Sequence, residues 1–249
     1  MTGCTVTNNN TKGFDRGWEA GGNKIVLTRG MVIENSVFAD NKGDGIWFDI
    51  GNGFAFSPGD WGANAGISIS SSPNCLIERN LLIGNKEGLS LREQKRSTPL
   101  IEGGSAQVWN HHVTVRNNVL AYNRDAQVWG WFDVDDERHW PKSGQKPNGM
   151  AKDISLDDLA LKFDKNLYGP SPGQGFFHWG VTWKRHEHYP DLDAVRRQLG
   201  FEQWGRSGDV FFLDIPKLDL RVPANNRAVK MRCYPKGSVP GVTLGTYTR

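Results

Sequence analysis

A ten-residue phrase recurs three times without gaps in the first half of this chain, and it restricts the fold more than any other feature of the sequence. The copies are Val32-Ile-Glu-Asn-Ser-Val-Phe-Ala-Asp-Asn41, Leu76-Ile-Glu-Arg-Asn-Leu-Leu-Ile-Gly-Asn85 and Thr114-Val-Arg-Asn-Asn-Val-Leu-Ala-Tyr-Asn123. Ser36, Asn80 and Asn118 share one column, and Asn41, Asn85 and Asn123 share another. A second phrase appears as Gly45-Ile-Trp-Phe-Asp-Ile50, Gly66-Ile-Ser-Ile-Ser70 and Gly88-Leu-Ser-Leu-Arg92, at spacings of about 22 residues. Each phrase alternates apolar and polar residues at period two and is bounded by Gly or Asn, which is the pattern of a half-buried strand and not of a helix. A strand returning every ~22 residues between turn residues is the sequence form of a β-solenoid, whose coils bury their inner face only by stacking on one another. The Asn columns read as architecture, because Asn tolerates left-handed backbone and hydrogen-bonds its own turn.

Composition is compatible with such a unit. The 249 residues suit one all-β domain, and the 37% hydrophobic content together with 30 glycines approaches the ordinary globular range. Thirty Lys+Arg against 27 Asp+Glu leave a net charge of +3, too balanced for an electrostatic nucleic-acid binder. No apolar run approaches the ~18 residues of a membrane span, and the polar start Met1-Thr-Gly-Cys-Thr5 is no export signal. Cys4, Cys75 and Cys233 are odd in number and far apart, so neither a disulfide scaffold nor a cysteine metal site is expected.

The repeated coils, together with Gly17-Trp-Glu-Ala-Gly-Gly-Asn-Lys24 and Gly43-Asp-Gly-Ile-Trp-Phe-Asp-Ile50, resemble right-handed parallel β-helix proteins. The likeness is to the pectate-lyase-like superfamily, and in particular to secreted bacterial β-helix-repeat proteins of carbohydrate metabolism, over roughly residues 4–135. The resemblance implies an all-β chain, a right-handed parallel β-helix with a small C-terminal helix-containing cap. It also implies a polysaccharide or oligosaccharide partner and a secreted or periplasmic full-length protein. It does not choose an activity, since lyases, hydrolases, epimerases and tailspikes share the fold.

The expected organisation is coils over 1–135, a long polar loop over 136–160, and the last coils and cap over 161–249. Asp164-Lys-Asn-Leu-Tyr168 resembles a closing coil of the family. Asp191 is placed to N-cap a short helix with Leu192, Val195 and Leu199 on one face, Arg196 and Arg197 in its last turn and Gly200 as its stop. This helix is expected against the solenoid end. Because Cys4-Thr-Val-Thr7 already reads as a coil, a preceding region of a longer chain or a partner is expected to cover that first edge.

Alternation also assigns faces. Trp47 and Asp49 point outward, with Ser68, Ser90 and Trp129 stacked over Trp47, and Ser70, Arg92 and Trp131 over Asp49. Aligning Gly17 with Gly45 puts Glu19 in the Trp47 column. Sugar rings stack on indole and need polar groups beside it, so a face of carboxylates, arginine and tryptophans reads as a glycan-binding face. Its expected catalytic residues are Glu19, Asp49 and Arg92, and its expected substrate-binding residues are Trp18, Lys24, Asp44, Trp47, Glu93, Trp129, Trp131 and Asp133.

Two chemistries follow. Paired carboxylates hydrolyse a glycosidic bond, with Glu19 and Asp49 as the first pair and Asp44 and Glu93 in reserve. A polysaccharide lyase, as the resemblance implies, abstracts a proton beside a uronate with Arg92 or Lys24 and neutralises the substrate with Ca²⁺. A non-catalytic binding or tailspike-like module is the third reading. No metal ligand set is expected, and Ca²⁺ is the only cofactor considered, because Gly51-Asn-Gly53 and Asp133-Val-Asp-Asp-Glu137 lack a full calcium-loop pattern. His186-Glu-His188 lacks a third metal ligand, and His111-His112 is expected to fill a turn.

Overall fold

The computed structural model describes residues 1–14, 22, 24–25, 32–48, 65–92, 96–99, 102–108, 110–132, 156–171, 175–181 and 187–248. The chain winds through successive coils whose strands stack, almost all of them in parallel, into three sheets. The first coil carries β1 (Thr5–Thr7) and β2 (Lys24–Ile25), and the second β3 (Val32–Glu34), β4 (Val37–Ala39) and β5 (Ile46–Phe48). After β6 (Ala65–Ser70), the third coil carries β7 (Leu76–Glu78), β8 (Leu81–Ile83) and β9 (Glu87–Arg92). A hairpin of β10 (Arg96–Pro99) and β11 (Ser105–Val108) precedes the fourth coil of β12 (Thr114–Arg116), β13 (Val119–Ala121) and β14 (Ala126–Phe132). The fifth holds β15 (Lys162–Asp164), β16 (Leu167–Tyr168) and β17 (Gly175–Val181), followed by β18 (Glu187–Tyr189), α1 (Leu192–Leu199) and β19 (Arg206–Ser207).

The registers bear out the repeat. Val37, Leu81 and Val119 stack as one position, and so do Val32, Leu76 and Thr114. The sheet orders are β1-β4-β8-β13-β16-β19, β15-β12-β7-β3 and β18-β17-β14-β9-β6-β5-β2. The ~22-residue spacing, however, is not the length of a coil. In the first two sheets the second coil lies directly against the third, whereas in the seven-stranded sheet β6 is inserted between β5 and β9. Ile46, Ile67 and Leu89 therefore mark neighbouring strands of one sheet, and β6 adds one strand, about 4.8 Å, to that sheet between the second and third coils.

Inward-facing Ile33, Phe38, Ile67, Leu89, Val115 and Val128 fill the solenoid. The Asn columns also point inward. Asn80 Nδ2 donates to Asn118 Oδ1 at 3.0 Å and to the Ile33 carbonyl at 3.0 Å, and Asn118 Nδ2 repeats this with Asn166 Oδ1 and the Ile77 carbonyl. The left-handed residue is not the ladder Asn but the one before it: Asn35, Arg79, Asn117 and Lys165 all have φ between 50° and 60°. The amide is needed inside because it donates and accepts at once, so each buried rung satisfies the next.

At the C-terminal end α1 forms as expected. The Asp191 side chain accepts from Ala194 N, Gly200 ends the helix at φ 70°, and Leu192 and Val195 seal the interior. The remaining segment does something the sequence did not suggest. With β20 (Val222–Pro223), α2 (Arg227–Lys230) and β21 (Thr246–Tyr247), it runs back along the outside of the six-stranded sheet instead of capping the end. There Val210, Leu220, Ala228, Cys233 and Val239 form a second core with the outward Val37, Leu81, Ile83, Val119 and Leu167. The Lys236 amide reaches Asn35 Oδ1 at 3.0 Å, and the Thr5 hydroxyl donates to the Pro240 carbonyl. This contact is lateral. Among the described residues β1 pairs with β4 alone. The loop expected over 136–160 lies outside the described residues up to Ser155, and Asp157–Ala160 close a turn, with Ala160 N donating to Asp157 O.

Candidate functional site

The outer face of the seven-stranded sheet brings together much of what the sequence placed there. Trp47 pairs with Ser68, Ser68 with Ser90, and Ser90 with Trp129, which is the predicted column. Ser70, Arg92 and Trp131 form the column beside it. Trp47, Trp129, Trp131 and Arg92 are half-buried, while Ser68, Ser70 and Ser90 are buried. The inserted β6, whose sequence is Ala-Gly-Ile-Ser-Ile-Ser, contributes only small outward residues. They lie in the sheet between Trp47 on β5 and Trp129 on β14. Arg92 folds back toward them, with Nε 3.4 Å from the Ser90 hydroxyl.

One expected neighbour is replaced. The position below Trp47 is held by Lys24, because Gly22 and not Gly17 stacks on Gly45: the Gly22 amide donates to the Asp44 carbonyl at 2.9 Å. A Cβ at Gly22 would lie 2.5 Å from the Gly45 carbonyl oxygen, so only glycine allows this stacking. Glu19 therefore does not hold the Trp47 column. Glu19 itself, with Trp18, Asp49, Glu93 and Asp133, lies outside the described residues, as does His186.

Asp44 is present but is not a surface carboxylate. It is 6% exposed, and its Oδ1 accepts from the Ala65 amide at 3.2 Å. Burial pushes its carboxyl up to about 7, against the pull of Arg92, the Ala65 amide and Ser68, and Glu87 adds to the rise. Glu87 is the residue that the sequence reading missed. It is 3% exposed, burial lifts it to about 7 against Arg92 and Lys86, and Asp125 adds to the rise. Ala65 pairs with Glu87, and the Gly45 amide donates to the Ala65 carbonyl, so Asp44, Ala65 and Glu87 follow one another across three strands. The signal was available. Each residue stands immediately before the glycine of its phrase, in Asp44-Gly45, Ala65-Gly66 and Glu87-Gly88, but the phrase was aligned from the glycine onward.

The face continues past Trp129. His178 pairs with it in register, their rings 4.9 Å apart, and His188 stacks on His178 at 4.0 Å. Gly175 makes room for the His178 ring, since a Cβ there would lie 1.8 Å from Nε2. Stacked imidazoles direct their lone pairs in parallel planes and do not chelate one ion. Among the described residues no group of three or more His, Cys, Asp or Glu is placed to hold a metal. His112, with φ 57°, sits in a turn beside His111, as expected. No described helix is long and apolar enough to cross a membrane.

The comparisons agree with the architecture. No curated protein and no solved structure matches the chain. A family profile described as "Right handed beta helix region" matches residues 1–129, which is more than half of the 249. The chain belongs to this right-handed β-helix family.

Proposed function

We propose that the outer face of the seven-stranded sheet binds a polysaccharide and that the protein cleaves it as a glycoside hydrolase. The observation that carries the reading is the pair of columns on one face: the half-buried indoles of Trp47 and Trp129 in register with Ser68 and Ser90, with Trp131 and Arg92 alongside. Indoles supply flat apolar surfaces for sugar rings, and the charged and hydroxyl groups beside them supply partners for sugar hydroxyls. Hydrolysis is preferred to β-elimination because the described arginine of the face has two carboxyls for electrostatic neighbours. An arginine so placed serves as a fixed charge and not as a proton acceptor. An extracellular polymer as substrate would go with a secreted or periplasmic protein, and hydrolysis itself needs no cofactor.

A panel of β-glucan, xylan, mannan, polygalacturonate and alginate tests this. New reducing ends without ultraviolet-absorbing unsaturated ends are expected on at least one polymer. Trp129→Ala is expected to weaken binding to that polymer by about tenfold, the size of a lost stacking contact. Unsaturated products would replace hydrolysis by elimination, and binding without cleavage would leave a binding module.

A further inference from the structure

Resting on the reading of this face as a glycan-cleaving surface, we infer that Asp44 and Glu87 are the acid and base of the cleavage, held two strands apart by the inserted β6, and that they cleave with inversion.

The geometry comes first. Strands of a sheet lie about 4.8 Å apart, so residues in one column on β9 and before β5, with β6 between them, are separated by about 9.6 Å at the backbone. Inverting pairs stand ~6.5–9.5 Å apart to admit a water between base and sugar, whereas retaining pairs stand only ~5–5.5 Å apart. The residue between Asp44 and Glu87 is Ala65, the smallest side chain that keeps the strand regular. Had β9 followed β5 directly, as β7 follows β3 and β8 follows β4, the two carboxyls would be immediate neighbours.

A second, independent observation points to a ligand. Glu87 is 3% exposed, and its Oε2 is buried with no hydrogen-bond partner among the described residues. A buried polar atom left without a partner is costly unless something else completes it. A water or a sugar hydroxyl is the donor that this atom lacks. Arg92 and Ser68 lie beside the pair and complete its polar surroundings.

The proton positions agree with these roles. Burial holds both groups near 7, with Glu87 adding to the rise at Asp44 and Asp125 to the rise at Glu87. Glu87 is the base because its Oε2 is left open as an acceptor, whereas Oδ1 of Asp44 already accepts from the Ala65 amide, and Asp44 is the acid. In the step, Glu87 takes a proton from water as the water oxygen bonds to the anomeric carbon. The bond from that carbon to the glycosidic oxygen breaks, its electron pair stays on the oxygen, and the Asp44 proton goes to it. One water is consumed, one reducing end and one hydroxyl are formed, and a proton returns from Glu87 to Asp44 through solvent.

The test uses the full chain and the polymer that it cleaves. Asp44→Asn and Glu87→Gln are each expected to lower turnover about 10²–10⁴-fold while binding to the same polymer is kept. Proton NMR of the fresh wild-type product is expected to show the inverted anomer, and the wild-type pH–rate profile a limb near 7. Retention, or full turnover in either variant, overturns the inference and leaves the hydrolase reading intact. Should a variant fail to fold, as a thermal melt would show, the wild-type anomer and pH profile decide alone. Unsaturated products or binding without cleavage overturn both the assignment and hydrolysis, and no binding to any polymer overturns the reading of the face.

Discussion

Glu202 shows what one residue does in a stack of repeats. Ladder amides donate in one direction and accept from the other, so the last rung needs a group with two oxygens free to accept. Glu202 is that group: Oε1 accepts from Asn166 Nδ2 at 2.6 Å and from the Tyr168 hydroxyl at 2.7 Å, and Oε2 from the Asn166 amide at 3.2 Å. Its backbone is left-handed at φ 58°, and a Cβ at Gly205 would meet its Oε2 at 2.3 Å, so the turn is shaped around this carboxyl. Burial nevertheless lifts it from 4.5 to about 7, against the pull of these hydrogen bonds. The folded chain thus holds a proton that the unfolded chain releases near 4.5. Its contribution to stability is full below that value, falls as pH rises toward 7, and is lost above 7, by at most about 3 kcal/mol. Urea titrations at pH 5 and pH 8 are expected to give a higher midpoint at pH 5, and Glu202→Gln to remove its share of that difference. Asp44 and Glu87 are raised in the same direction and add to the slope in the wild type.

Among the elements, β6 decides the site. With its small outward residues it lies beside β9 between Trp47 and Trp129 and sets the indoles one strand further apart. Ala65→Leu would place a branched side chain in a position that is 0% exposed, between the two carboxyls. It is expected to cost about 1–3 kcal/mol in a denaturant titration, as overpacking does, and to reduce turnover more than polymer binding. Equal losses in turnover and binding would mean that the substitution acts on the whole face and not on the carboxyl gap. The strand itself was legible in the sequence as the phrase Gly66-Ile-Ser-Ile-Ser70. Its insertion was not, because period-two alternation identifies a strand and its faces but not which neighbours it has.

For the molecule as a whole, the segment from Val210 to Thr248 is a strap over the outer face of the six-stranded sheet, reaching from the fifth coil back to the first. Tyr122 Oη donates to the Val210 carbonyl at 2.7 Å at one end, and the Thr5 hydroxyl of the first coil donates to the Pro240 carbonyl at the other. Leu220→Asp sets an unpaired charge against buried Leu81 and Val119 neighbours of that second core. It is expected to destabilise the chain by more than 3 kcal/mol and to raise hydrogen exchange in β4, β8 and β13, with little change in α1. Uniform exchange over all coils would show instead that strap and solenoid unfold together. By itself the sequence determined the register of the ten-residue phrase, the inward and outward faces, the helix with its Asp191 and Gly200 caps, and the tryptophan columns, because these follow from local alternation and turn chemistry. The tertiary structure alone decided that Lys24 and not Glu19 sits below Trp47, that β6 parts Asp44 from Glu87, and that the C-terminal segment folds back along the sheet. Each of these is a choice of partner between distant segments, which is settled by the fit of glycine to carbonyl and of side chain to side chain, and local periodicity contains no record of it.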